Sequence, residues 1–430
     1  MEMTRRRRFS RLPAWATRHP WLALLGGVST ALILGAWAWW ATQLWGLPDI
    51  GDPFDVAAFE AAHIRVRVED DRNAFVEYRE AHALLKGPLR TFQTQRPWPG
   101  SEKDPRTWAE AGPEWRTLLA ASQTALAAYR AGSEKPDALY THPEGLGLNT
   151  LLPVTFSLRM LGRLAVLEGK RLEAEGDMAG AWGWYRAALR SSRHTGRHGF
   201  QIERTVGAAI HKQAADAIGD WSGDPRVDAP LLRRARAEVI AIDALTAPRS
   251  DAIKMEYLIF LHDLDDPGNL IDYFFIPPRQ PDDPADWVQD LSIPAGPKTA
   301  LHRGRFVINA ERERAIRISR LLVANWLAEE DKPAARRARL ASMKPPIYEA
   351  GPGTPPEARR LAPAKLAAWY ESSFLTRRFY GVSYQTVRFI DRERAAQETL
   401  VRTLDRQIER RDKAPEAPPP PSAPDPPIPG

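Results

Sequence analysis

The chain has 430 residues and no cysteine, which excludes disulfides, thiolate metal sites, iron–sulfur clusters and cysteine nucleophiles. Its hydrophobic content of 43% is sufficient for a core without disulfides. The net charge of +6 is unevenly placed, because residues 1–47 carry +5 and the remainder carries +1. A nucleic-acid-binding domain should have a basic face on its folded part, so we expect no nucleic-acid partner.

Residues 21–47 form an uncharged, apolar stretch that is long enough to cross a bilayer as a helix. Tryptophans stand at both of its ends, where indole rings favour the membrane interface. A cleaved signal peptide is the alternative, since Ala36-Trp37-Ala38 fits the pattern of a cleavage site. The apolar run continues beyond the usual 7–15 residues of a signal core, which favours an uncleaved anchor.

Charges on the two sides of the stretch predict its orientation. Residues 1–20 contain six arginines, whereas Asp49, Asp52 and Asp55 follow the stretch. Because positively charged flanks stay in the cytoplasm, we expect a cytoplasmic segment 1–20 and export of the chain beyond residue 47.

Small residues recur every four positions in the predicted membrane helix, at Ala23, Gly27, Ala31 and Gly35. Such a ridge lets two helices approach closely in lipid, where packing drives their association. It predicts a homodimer through the membrane helix, although small residues are also common in membrane spans for other reasons.

The exported region is predicted to be all-α. We expect a helical domain over 48–264, a proline-rich connector over 265–305, C-terminal helices over 306–411 and a disordered proline-rich tail over 412–430. Ile64–Val68 alternates like a short strand. The predicted helices are Asp70–Lys86, Thr107–Ala131, Leu151–Glu175, Met178–His194, Gln201–Trp221, Ala229–Ala247, Ser250–Asp263, Phe306–Glu329 and Phe374–Arg411.

One segment resembles a tetratricopeptide repeat, a pair of antiparallel helices with small residues at their contact and an aromatic side chain between them. The matching positions are Gly169, Leu172, Gly176, Asp177, Ala181, Tyr185 and Ala188. The sequence departs from the family pattern at Ala165, Glu168 and Arg193, where the family favours tryptophan, leucine and proline, respectively. Ala74, Tyr78 and Ala81 repeat the second-helix spacing, and Ala125 and Tyr129 repeat part of it. The resemblance implies a partly repetitive helical array, and a plain helical hairpin is the alternative.

Well-marked catalytic motifs are missing from the sequence: the string nearest a nucleophile elbow, Gly381–Gln385, lacks the second glycine. His194, His198 and His211, with Glu203, are candidate metal ligands, but Gly196 indicates a turn between the first two. His262, Asp263, Asp265 and Asp266 crowd a helix end without the ligand spacing of a calcium loop. We therefore assign no catalytic residue, no metal ligand and no cofactor.

An apolar loop at Tyr273, Phe274 and Phe275 is a candidate partner contact, because exposed aromatics usually have a role. Packing of this loop onto the helical core is the alternative.

These features together predict a membrane-anchored interaction or scaffold protein with an unknown protein partner. Arginine outnumbers lysine 49 to 11, as in GC-rich bacterial genomes, which points to a bacterial envelope. The alternative is an anchored hydrolase or metal-dependent enzyme with its site near the central connectors.

The predicted orientation can be tested by fusing alkaline phosphatase after Asp55. We expect activity, because the enzyme would be exported; the same fusion after Ser10, which lacks the apolar stretch, should be inactive. An inactive Asp55 fusion, or a mature chain that begins at Trp39, would contradict the anchor.

Overall fold

A computed structural model describes residues 20–95, 105–140, 152–199, 201–265, 310–329, 332, 347–349, 355–359 and 361–413. This part of the chain is mostly helical and contains no strand, which confirms the all-α prediction. The helices, in chain order, are α1 Pro20–Leu44, α2 Val56–His63, α3 Ala74–Gln95, α4 Pro113–Ala121, α5 Gln123–Glu134, α6 Pro153–Glu175, α7 Met178–His194, α8 Gln201–Gly223, α9 Ala229–Asp243, α10 Arg249–Asp265, α11 Glu311–Leu327, α12 Pro356–Arg359, α13 Pro363–Ser372 and α14 Phe374–Lys413.

Several predicted boundaries were wrong for identifiable reasons. The helix predicted over Thr107–Ala131 is two helices, α4 and α5, which meet at Ser122, and Pro113 stands in the first turn of α4. Helix α3 begins at Ala74 rather than Asp70, because the Asn73 side chain accepts hydrogen bonds from the backbone N–H groups of Phe75 and Leu139. Ile64–Val68 is not a strand, and α2 and α13 were not predicted.

The α6–α7 hairpin has the boundaries that local chemistry requires. Gly176 ends α6 with a left-handed backbone (φ 90°), which glycine adopts without steric penalty. Asp177 then caps α7, since its carboxylate accepts a hydrogen bond of 2.7 Å from the Gly180 N–H. Helix α7 accordingly spans Met178–His194 as predicted.

A first hydrophobic cluster joins α3 to α9 with the C-terminal part of α14. Within it, three helices place a tyrosine between two small residues at the same spacing. All nine residues are buried, and the eight that are not glycine are at most 1% exposed. The three sets are Ala74, Tyr78 and Ala81 of α3, Ala125, Tyr129 and Gly132 of α5, and Ala181, Tyr185 and Ala188 of α7.

A second cluster contains α10, α11, α13 and the first turns of α14, with Phe260 and Tyr380 near its centre. Both clusters draw residues from each of the predicted segments 48–264 and 306–411. The 40-residue helix α14 extends from the second cluster to the first, so it connects the two.

Among the described residues, α1 is the one helix long and apolar enough to cross a membrane, over Leu24–Leu44. The residues that follow it contact α11 and α10. Arg317 donates a hydrogen bond of 3.1 Å to the Leu47 carbonyl, and Arg320 pairs with Asp49 at 2.8 Å and with Asp52 at 3.2 Å. The Tyr257 hydroxyl donates to Asp52 at 2.7 Å. The segment directly after α1, residues 47–52, therefore lies on the folded domain.

The packing of α7 predicts different outcomes at two neighbouring alanines. Ala181 is fully buried, whereas Ala179 is exposed. Ala181→Trp should overpack the helix contact and lower the free energy of unfolding by about 1–3 kcal/mol or more. Ala179→Trp, measured by the same chemical denaturation, should leave it nearly unchanged. Equal tolerance at the two positions would contradict the packing of α7.

Candidate functional site

A groove of about 950 Å³ lies between three helices of the first cluster. Its walls come from α6, α8 and α14, where the lining residues are Arg163, Val166, Leu167 and Lys170 of α6, Lys212, Gln213, Ala215, Asp216, Ala217, Gly219 and Asp220 of α8, and Ala395, Ala396, Thr399, Leu400 and Thr403 of α14. Trp115 and Arg106 also line it. This volume is within the usual range for ligand sites, so the groove can accept a small molecule or part of a polypeptide.

The groove exists because α8 and α14 present small side chains to it. Side chains of this size leave the space between the two helices unfilled, while the buried Leu167 and Leu400 supply apolar surface. A Cβ atom added to Gly219 would meet nothing within 4 Å, so this position is open. The other small residues that line the groove are Ala215, Ala217, Ala395 and Ala396.

The charge of the lining is mixed and slightly positive, with four basic side chains against two acidic ones. Lys170 donates a hydrogen bond of 2.6 Å to the Pro105 carbonyl, which ties α6 to the segment before α4. Lys212 and Asp216 form an ion pair at 2.5 Å, but both are well exposed, so the pair adds little stability. The charged lining residues are Arg106, Arg163, Lys170, Lys212, Asp216 and Asp220.

A buried ionic cluster fixes α14 beside the groove. Glu393, two residues before the groove lining begins on α14, pairs with Arg193 of α7 and, at 2.9 Å, with Arg204 of α8. Arg193 also pairs with Asp243 of α9 at 2.9 Å. One turn further along α14, Gln397 Oε1 lies 2.9 Å from His211 Nε2 of α8. The cluster therefore joins four helices.

The electrostatic state of Glu393 follows from these neighbours. Burial alone would raise the pKa of its carboxyl group, but the guanidinium groups of Arg204 and Arg193 outweigh burial and lower that pKa. Glu393 is therefore ionised at neutral pH, and together with Asp243 it supplies the negative charge beside the two buried arginines.

The predicted repeat positions come together in the α6–α7 hairpin. A Cβ atom on Gly169 would lie 2.4 Å from the Tyr185 ring, so only glycine lets the two helices approach as they do. The Tyr185 hydroxyl donates to Glu173 at 2.5 Å, and Leu172 packs against the cluster. Similarly, a Cβ atom on Gly132 would lie 2.7 Å from the Tyr78 ring. Arg193, where the family favours proline, instead supplies the buried ion pair to α14.

The three histidines considered as metal ligands do not converge. His194 is hydrogen-bonded to the Tyr78 hydroxyl at 2.9 Å. His211 is hydrogen-bonded to Gln397, and His198 lies within hydrogen-bond distance of His63. Burial lowers the pKa of His194 to about 3 and that of His198 and His211 to about 4. Glu203 is buried and accepts a bond from Thr155 at 3.4 Å. Across the described ranges, no three His, Asp or Glu residues are arranged to hold a metal.

The remaining predicted positions are separate from the groove. His262 is exposed, with Nδ1 3.9 Å from the neighbouring Asp263 carboxylate. Ala23, Gly27, Ala31 and Gly35 all lie on α1, where the last three are exposed. Asp266, the loop at Tyr273, Phe274 and Phe275, and the tail beyond Lys413 lie outside the described residues.

Comparison with known proteins gives no family assignment. No family model matches the chain, and neither curated proteins nor solved structures match it significantly.

Sequence reasoning missed Glu393 and the groove. Both depend on contacts between residues about 190 to 240 positions apart in the chain, such as Arg204 with Glu393. The one local signal was Arg193, an arginine on the packed face of α7, which also buries Ser191, Ser192 and His194.

The ionic cluster predicts unequal effects for two carboxylates of α14. Glu393→Gln should lower the free energy of unfolding by about 3–5 kcal/mol, because it removes the carboxylate that pairs with buried Arg204 and one of the two carboxylates that pair with buried Arg193. Asp405→Asn, which breaks a largely exposed pair with Arg236, should change it by less than about 1 kcal/mol. Chemical denaturation measures both, and a similar small effect for Glu393→Gln would contradict the cluster's role.

Proposed function

We propose that the protein is a membrane-anchored interaction or scaffold protein of the bacterial envelope. In this proposal residues 1–20 are cytoplasmic, α1 crosses the membrane, and the helical part is extracytoplasmic. The observation that carries the proposal is the groove between α6, α8 and α14, which combines an apolar floor with mixed charges. Surfaces of this kind between stacked helices are typical binding sites for polypeptides.

The repeat resemblance supports this proposal. Three helices with a tyrosine between two small residues, each packed against a neighbouring helix, are what a short array of tetratricopeptide-like pairs would require. Helix α9 packs chiefly on α7 and α14, with α14 next to α8. We infer that α14 takes the place that the partner of α8 would occupy in a regular array, and so closes the array from the side.

The lining chemistry indicates the kind of partner. An excess of two positive charges around an apolar floor favours an exported polypeptide segment that carries both acidic and small apolar side chains. No histidine lines the groove in the described part of the chain, and His194 is engaged in the core with Tyr78. The two carboxylates that line the groove, Asp216 and Asp220, are both exposed, whereas catalytic acids and bases are usually tuned by burial. The lining therefore supports binding over the alternative of an anchored hydrolase.

Two further parts of the proposal concern the ends of the chain. The ridge Ala23, Gly27, Ala31 and Gly35 would allow a homodimer through α1, since close backbone approach drives helix association in lipid. The proline-rich tail, with nine prolines in residues 414–430, would be an extended, solvated segment beyond the helical domain.

Site-specific cross-linking in intact membranes tests the groove. A photoreactive amino acid at Ala396 or Thr399, which line the groove, should capture a defined protein partner, and reversing Lys170 and Lys212 to glutamate should abolish capture. Glu398 is exposed on the same helix but does not line the groove, so the photoreactive residue there is the matched control.

Capture with equal efficiency from Glu398, or capture that survives the charge reversal, would contradict the groove as the docking site. The single variant Lys212→Glu separates loss of docking from loss of folding, since its ion pair is exposed and its denaturation curve should match that of the unaltered chain. Lys170→Glu also loses the hydrogen bond to the Pro105 carbonyl, so its denaturation curve is measured beside its capture.

A further inference from the structure

A pair of histidines outside the groove comes from parts of the chain that are far apart in sequence. His63 is the last residue of α2, and His198 lies in the turn between α7 and α8. Their Nδ1 atoms are 3.2 Å apart. Asp251, in the first turn of α10, places a carboxylate oxygen 3.8 Å from the Nε2 atom of His63. Three elements therefore meet at one point through groups that bind metals or protons.

The backbone at His198 is unusual. Its φ of 58° lies in the left-handed region, which few residues other than glycine adopt. Non-glycine residues in this conformation concentrate at functional sites, where the surrounding structure holds them in place. In this turn the conformation accompanies the approach of the His198 ring to His63.

The neighbours hold the His63 ring and include charges of both signs. Phe59 stacks on that ring at 4.4 Å between centroids. Lys254 lies 3.8 Å from Asp251, and Arg197 lies 3.4 Å from Asp137, a carboxylate that also pairs with Arg72 at 2.9 Å. The two carboxylates therefore offset part of the nearby positive charge, and Asp251 supplies negative charge on the Nε2 side of His63.

We propose that His63 and His198 form a binding site for a divalent transition metal, with one Nδ1 ligand from each. With bonds of about 2.05 Å and tetrahedral angles, two nitrogen ligands of zinc are about 3.3 Å apart, which matches the observed separation. A histidine that binds a metal through one ring nitrogen usually directs the other toward a carboxylate, and Asp251 stands on that side of His63.

The ligand chemistry selects the metal. Imidazole nitrogens favour Zn²⁺, Ni²⁺ and Cu²⁺, whereas Mg²⁺ and Ca²⁺ require oxygen ligands. No third His, Asp or Glu completes the site within the described ranges, so water would occupy the other coordination positions. The site does not depend on the groove or on the proposed function.

The test uses the full-length protein in detergent micelles, freed of metal with a chelator and titrated with Zn²⁺ by calorimetry. We expect binding of one ion per chain, and His63→Gln or His198→Gln should weaken it about tenfold or more. Mg²⁺ should not bind. His262→Gln removes an exposed histidine outside the pair and should leave Zn²⁺ binding unchanged.

A rescue variant separates metal binding from a structural hydrogen bond between the two rings. His63→Cys should retain Zn²⁺ binding, because a thiolate is also a zinc ligand, whereas His63→Gln should not. With Cu²⁺, electron paramagnetic resonance should report two nitrogen ligands in the unaltered chain and one in His198→Gln.

Absence of Zn²⁺ binding by the unaltered chain would overturn the proposal. So would equal affinity in the unaltered chain and both glutamine variants. If only the unaltered chain binds metal, circular dichroism of the metal-free proteins must show the same helix content in the variants. A variant that unfolds is replaced by Asp251→Asn, which should weaken binding by about tenfold.

Discussion

The carboxylate of Glu393 and the two guanidinium groups of Arg193 and Arg204 are buried together where α7, α8 and α14 meet. Removing three charges from water opposes folding, and their mutual attraction compensates only when all three are in register. An apolar helix face could slide along its neighbours with little change in buried area, but a buried carboxylate between two arginines cannot. We infer that this cluster sets the axial position of α14, a helix about 60 Å long.

That position determines the rest of the arrangement. Residues on one face of α14, Glu393, Gln397, Leu400 and Leu404, follow each other at three- and four-residue spacing into the first cluster. The same register brings Ala395, Ala396 and Thr399 to the groove and places Leu375 and Tyr380 in the second cluster. A shift of one residue would rotate this face by about 100° and carry Glu393 away from its two arginines. The ionic cluster therefore fixes which small side chains of α14 face the groove.

Local chemistry made much of the fold predictable. Gly176 and Asp177 define the α6–α7 turn, and the spacing of Ala181, Tyr185 and Ala188 identified a buried face before any contact was known. Where prediction failed, a distant residue was responsible: the start of α3 depends on Asn73 bonding to Leu139, and its extension to Gln95 accompanies the packing of Phe92 on Trp115. The groove and the His63–His198 pair could not be predicted, because each depends on which helices are neighbours. The residue spacing within one segment carries no information about its neighbours.

Arg317 and Arg320 of α11, with Tyr257 of α10, hold Leu47, Asp49 and Asp52 within a few residues of the end of α1. These contacts place the chain that follows α1 directly on the folded domain, within three to eight residues of Leu44. If α1 crosses a membrane as proposed, the helical domain would lie close to the bilayer surface, and this short junction would limit how far the groove can stand from the lipid.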